Sequence, residues 1–107
     1  MAKDMQRMMR EAQKMAAEMQ KTQDELAEKE FEGRAGGGVV TATVSGDQKL
    51  RSVEIDPDIF DGTPDKDDIE MLADAVTAAV NDAMEKASAA QQEALGPLAG
   101  GLGGLGL

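Results

Sequence analysis

Apolar residues recur every three or four positions through the first 30 residues. Met1, Met5, Met8, Ala12, Met15, Met19, Thr22 and Leu26 are spaced four, three, four, three, four, three, four, the a/d spacing of a helix that buries a narrow seam. The phrases Asp4-Met5-Gln6-Arg7, Glu11-Ala12-Gln13-Lys14 and Glu18-Met19-Gln20-Lys21 repeat at the same interval. The segment has neither Gly nor Pro and few β-branched residues, which predicts one helix of roughly seven turns. Its seam of Met and Ala is soft and adaptable, better suited to packing on another helix than to a free-standing coil.

The period changes after residue 30. Glu32-Gly33-Arg34-Ala35-Gly36-Gly37-Gly38 is too glycine-rich for a helix interior. Val39 to Ser45 then alternates Val40, Ala42 and Val44 against Val39, Thr41 and Thr43, and Leu50 to Asp56 places Arg51, Val53 and Ile55 on one face. Both read as strands. Gly46-Asp47 predicts a tight turn between them, and a first strand is expected around Glu30 to Arg34, entering the hairpin through the glycines. Pro57 ends the last strand.

A second helix is expected from about Thr63 to Asp65, with Pro64 suited to a first helical position and Asp65, Asp67, Asp68 and Glu70 at the positive end of the dipole. Ile69, Leu72, Val76, Ala79, Val80, Ala83, Ala87, Ala90 and Ala94 supply its apolar stripe to about Leu95. Gly96-Pro97 is expected to stop it, leaving residues 96–107, all Leu, Ala and Gly after Pro97, as a disordered, sticky tail. The reading is an α+β chain, α-β-β-β-α, with a three-stranded antiparallel sheet between two long helices in a single domain, residues 1–95. Open sheet edges and an uncovered face make homodimerisation the cheapest completion.

Composition narrows the chemistry. The chain of 107 residues has no His, Cys, Trp or Tyr, and its 19 large aliphatic and aromatic side chains are 8 Leu, 6 Val, 3 Ile and 2 Phe. A Cys/His nucleophile pair, a Ser-His-Asp triad, a Cys/His zinc site and a disulfide are all excluded. No apolar run follows Met1, so a cytosolic location with no membrane partner is expected. Eleven bases against 21 acids give a net charge of -10, and so few bulky residues at that charge leave order to regular patterning or to a partner chain. A deep substrate cavity is not expected.

Two chemical readings fail on spacing. The glycine run enters a strand rather than opening a helix, and no Gly-Lys-Ser/Thr follows, so it is a turn and not a phosphate loop. Counted as a calcium loop from Asp56, positions 5 and 6 fall on Phe60 and Asp61 instead of an oxygen ligand and Gly; helix capping explains the acids better. No catalytic residue, metal site or cofactor is expected.

The bases of the first helix are more informative. Lys3, Arg7, Arg10, Lys14 and Lys21 lie two positions past the seam at each step, about 200° around the helix, and project away from whatever the seam buries. Residues 1–23 hold five bases and three acids, net +2, whereas residues 61–107 hold two bases and nine acids, net -7. This is a basic stripe on an acidic protein. A solvated face with Glu11 to Lys14 and Glu18 to Lys21 pairs is the alternative reading, and the net charge opposes approach to DNA.

The order of elements and several phrases resemble the YbaB/EbfC family of nucleoid-associated DNA-binding proteins. The phrases are Met8-Met9-Arg10-Glu11-Ala12-Gln13-Lys14-Met15, then Glu32-Gly33-Arg34-Ala35-Gly36-Gly37-Gly38-Val39-Val40, then Ile55-Asp56-Pro57, and last Ala78-Ala79-Val80-Asn81-Asp82-Ala83-Met84-Glu85-Lys86-Ala87. The resemblance reaches to about Leu95. It implies a chain that dimerises through its sheets and holds its long helices out as the arms of a tweezer. It implies binding of double-stranded DNA with little or modest sequence preference and a place in the nucleoid. The family's helical arms correspond here to Lys3, Arg7, Arg10, Lys14 and Lys21, with Lys86 on the second helix a secondary candidate. The strongly acidic second helix and the Gly/Leu tail depart from the family pattern. The expected function is a non-enzymatic, homodimeric DNA-binding protein of the cytoplasmic nucleoid. The alternative is a protein-interaction or adaptor module that uses the Met-rich seam and the tail to engage further protein partners.

Overall fold

The computed structural model describes residues 2–103, the last seven of these as backbone only. Helix α1, Ala2–Glu28, leads into strand β1, Glu30–Ala35; a glycine turn, Gly36–Gly38, leads to β2, Val40–Ser45; a four-residue loop leads to β3, Leu50–Ile55; and α2 runs over Lys66–Gly103. The strands form one antiparallel sheet in the order β1-β2-β3. The α-β-β-β-α architecture and the place of each strand are those expected from the sequence.

The core is built on small residues. Val40, Ala42 and Val44 of β2 are fully buried beneath Ala79, Ala83 and Ala87 of α2, which recur at four-residue intervals and so lie on one face of the helix. Gly33 sits where the helix comes closest: a Cβ there would overlap the carbonyl oxygen of Ala79 and the amide nitrogen of Ala83. The missing side chain therefore lets the α2 backbone lie directly on β1. α2 covers β1 and β2 and barely reaches β3. The inner face of β3 is consequently left open, with Leu50 48% and Ile55 42% exposed.

Local chemistry sets the connections. All three turn glycines have positive φ, 65°, 73° and 97°, a region that side chains disfavour. The second connection is longer than the predicted Gly46-Asp47 turn: it spans residues 46–49 and places Gln48 at φ 64°. A register shift beside Thr43 and Val44 pairs Val44 with Leu50 and Thr43 with Ser52. Arg51 is therefore the extra residue of a bulge, and Leu50 joins Val53 and Ile55 on the inner face in its place. Ser45 is buried, and its hydroxyl bonds both the Asp47 carboxylate and the Lys49 carbonyl. That hydrogen bond holds the Asp47 carboxyl below the usual carboxylate range.

The loop acids do cap helices. The Asp56 carboxylate accepts from the Asp58 amide at 2.9 Å, beginning a 3₁₀ turn at Pro57–Ile59. At α2 the Asp68 amide donates to the Asp65 side chain at 2.8 Å and the Asp65 amide donates to the Asp68 side chain at 3.0 Å, a reciprocal capping box. Asp65 is thus the cap, and Pro64 stands before it rather than at the first helical position. Ile69, expected in the apolar stripe, is 50% exposed. Gly96-Pro97 does not stop α2, which continues to Gly103. Pro97 has no N–H to give the Glu93 carbonyl, and Glu93 is exposed, so water can serve that carbonyl. Residues 104–107 lie outside the described residues.

α1 joins the body only at its end. Leu26 is 4% exposed, and with Lys29 it lines a hollow shared with Ala90, Glu93 and Ala94 where α1 meets α2. Gly46 meets the same corner, its amide donating to the Lys29 carbonyl at 3.0 Å. From this crossing α2 reaches back about 39 Å to Lys66 and α1 reaches about 36 Å the other way to Ala2, at about 1.5 Å per residue. The two helices are antiparallel beyond the crossing, which accounts for the 77 Å length of the molecule. The radius of gyration, 21.0 Å, exceeds the roughly 13 Å of a compact chain of this size, because α1 stands out as an arm.

Gly33→Ala tests the close approach of α2 to β1. The added methyl forces α2 off the sheet, and a loss of about 2–3 kcal/mol, or roughly 10 °C or more in melting midpoint, is expected in calorimetry.

Candidate nucleic-acid interface

At about 100° per residue, Lys3, Arg7, Arg10, Lys14 and Lys21 fall within an arc of roughly 60° on α1. All five are exposed. The arm is free of the sheet there, so nothing in the described body shields this face. Lys3, Gln6, Arg7, Arg10 and Glu11 line a shallow depression near the tip. Arg7 pairs with Glu11 at 3.5 Å, both side chains well exposed; such a pair is worth only about 0.3–0.5 kcal/mol and yields readily to a phosphate. Among the described residues, Lys3, Arg10, Lys14 and Lys21 enter no ion pair, so the anticipated Glu11–Lys14 and Glu18–Lys21 pairs do not form.

The seam on the opposite side divides in two. Met15, Met19 and Thr22 are half-buried and Leu26 is buried, whereas Met5, Met8 and Ala12 are exposed. Bases and seam thus occupy opposite sides of one helix, as their spacing predicts.

Lys86 is placed differently from the other five. Its ammonium donates to the Glu32 carbonyl of β1 at 2.8 Å and pairs with Asp82 at 3.2 Å. It thereby ties α2 to β1, an edge strand of the sheet. The glutamines escaped the sequence reading. Gln6, Gln13 and Gln20 are exposed and repeat at seven, about 60–100° from the stripe. The signal was present in the repeated phrases, in which Gln always precedes Arg or Lys. Of the three, Gln20 bonds Asp24 at 2.9 Å.

An apolar cavity of about 230 Å³ lies between Phe60, Ile59 and the start of α2. Its one charged liner, Asp68, is committed to the capping box. Among the described residues no cluster of His, Cys, Asp or Glu could hold a metal ion, and no helix is long and apolar enough to cross a membrane.

The described residues thus present an exposed basic arm on a small α+β body. The chain matches the YbaB/EbfC DNA-binding family over residues 1–102. It is 51% identical over 104 residues to a nucleoid-associated protein of Streptomyces avermitilis, covering 97% of this chain and 88% of that one. It is 50% identical over 110 residues to a nucleoid-associated protein of Saccharopolyspora erythraea, covering 97% and 91%. The fold matches the crystal structure of an uncharacterised protein from Helicobacter pylori with a TM-score of 0.69 at 17% identity, over 81% of this chain and 87% of that one. The chain belongs to the YbaB/EbfC DNA-binding family.

Because Lys86 is tied to the body, Lys86→Met is expected to act on stability. Losing a charge-assisted bond to a strand carbonyl should lower the melting midpoint by an amount corresponding to about 1 kcal/mol, with DNA affinity within about twofold of the parent in a gel shift.

Proposed function

We propose that the chain is a non-enzymatic, nucleoid-associated protein of the cytoplasm that binds double-stranded DNA as a homodimer, with little or modest sequence preference. The observation that carries this reading is the stripe of five exposed bases on an arm held clear of the body. Phosphate neutralisation by Lys and Arg supplies sequence-independent affinity. Lys3 to Lys21 spans about 27 Å of helix, comparable to eight base pairs, and an α-helix fits the major groove. The family and the names of the relatives support DNA as the partner.

The dimer reading rests on uncovered apolar surface. Leu50 and Ile55 on the inner face of β3 and Ile69 on α2 are exposed, and Val53, Val76, Val80 and Met84 are only half-buried against the core. Together they make an apolar face on a body whose own core is mostly Ala and Val. A second copy pairing there covers both faces and leaves two arms free, in the manner of a tweezer.

A stable dimer is expected in light scattering at low micromolar concentration, and a compact, well-folded monomer would contradict it. If about half of the ten stripe positions in two protomers reach phosphates, log K should fall against log salt with a slope of roughly -4 to -5. Changing Arg7, Arg10 and Lys14 together to Glu should abolish binding and leave the dimer intact; changing Lys49 and Arg51 should matter less. A triple variant that binds duplex like the parent would return the Met seam and the tail, as protein-binding surfaces, to first place.

A further inference from the structure

One long face of α1 carries no acid. At about 100° per residue, residues 2–21 place the five bases, Gln6, Gln13 and Gln20, and the small Ala2 and Ala17 within an arc of about 140°. All of them are exposed. The acids of this stretch, Asp4, Glu11 and Glu18, gather within about 40° on the other side of the bases, between them and the methionine seam. The face ends where Asp24 enters the same arc and accepts from the Gln20 amide at 2.9 Å. A polyanion laid on the bases is therefore repelled by the acid row on one side and borders the glutamines on the other.

Phosphate neutralisation makes no use of the glutamines, which are neutral and release no counterion. A primary amide does present an acceptor and a donor side by side, and adenine offers the matching N7 acceptor and N6 donor on its major-groove edge. Among the described residues the Gln6 and Gln13 side chains make no hydrogen bond, whereas Gln20 is held by Asp24. From Gln6 to Gln13 the helix advances about 10.5 Å, close to three base-pair steps of about 3.4 Å, so both amides can enter one groove. Ala2 and Ala17 put no bulk on this face.

We propose that Gln6 and Gln13 read adenine in the major groove and set the sequence preference of the chain, while the bases hold the phosphates. The inference rests on the DNA reading above and adds the residues that tell one duplex from another. Two such contacts on a face otherwise made of phosphate-seeking bases give a modest preference over strong general binding, because phosphate contacts position and base contacts specify.

The test mixes the full chain at low salt with a pool of random duplexes longer than the arm, and sequences the bound and input pools. The bound pool should be enriched about tenfold in A·T pairs two or three positions apart. Gln6→Ala with Gln13→Ala should lose that enrichment yet bind the unselected pool within about threefold of the parent, with the same salt slope. Its helicity in circular dichroism should be unchanged, since both sites are exposed and Ala is the best helix former. Gln6→Arg with Gln13→Arg should move the enrichment to guanine, whose O6 and N7 suit a guanidinium. Putting 7-deaza-adenine in the selected duplex removes N7 alone; it should weaken the parent about fivefold and leave the alanine variant unaffected. The inference is overturned if the alanine variant keeps the parent's enrichment, or if 7-deaza-adenine leaves the parent's affinity unchanged. It is also overturned if the alanine variant weakens equally on every sequence, which would make the amides phosphate contacts. A parent that binds without preference overturns this inference alone, whereas one that binds no duplex at low salt overturns the DNA reading and this inference with it.

Discussion

The close approach of α2 to β1 governs where everything else lies. Gly33 removes the side chain that would hold the helix off, and Ala79, Ala83 and Ala87 present only methyl groups to the sheet. The helix axis is thereby fixed over β1 and β2, β3 is left uncovered, and α2 is carried past the 46–49 loop to meet Leu26. The direction of the arm follows from that meeting. Such intimacy buries little area per residue: Val40 and Val44 are the largest apolar side chains fully enclosed, and each methyl contributes only about 0.8 kcal/mol.

Much of the architecture was legible because its signals are local. The four-three spacing of α1, the alternation of Val40, Ala42 and Val44, and the acids before α2 each specify a nearby backbone geometry. Legibility failed where a distant contact decides. Gly96-Pro97 reads as a stop because propensity is local, yet α2 continues through it to Gly103. Arg51 was assigned to the inner face because alternation cannot reveal a bulge. The stripe was readable from spacing alone, and so was its freedom from the seam. That Lys86 reaches a strand carbonyl 54 residues away was not readable, although its four-residue spacing from Asp82 hinted at a local pair.

The net charge of -10 is a smaller obstacle to a phosphate-bearing partner than composition suggests. Asp65, Asp67, Asp68, Glu70 and Asp74 gather at the start of α2, and the helical rises put them on the order of 50 Å from Arg10. That is several times the screening length of about 8 Å at physiological ionic strength. A partner at the arm therefore meets the local +2 of residues 1–23 far more than the acids of the body. Separation along a 77 Å molecule does what composition cannot.

The corner formed by Leu26, Lys29 and Gly46 is also a fulcrum. Everything N-terminal to it is a lever about 36 Å long, so a rotation of about 10° at the corner carries Ala2 through about 6 Å. That travel is half the width of a major groove, about 12 Å. Small repacking around a single glycine, far from any base on the stripe, is thus magnified at the tip, and the side chains near Gly46 set the reach of the arm as surely as those upon it.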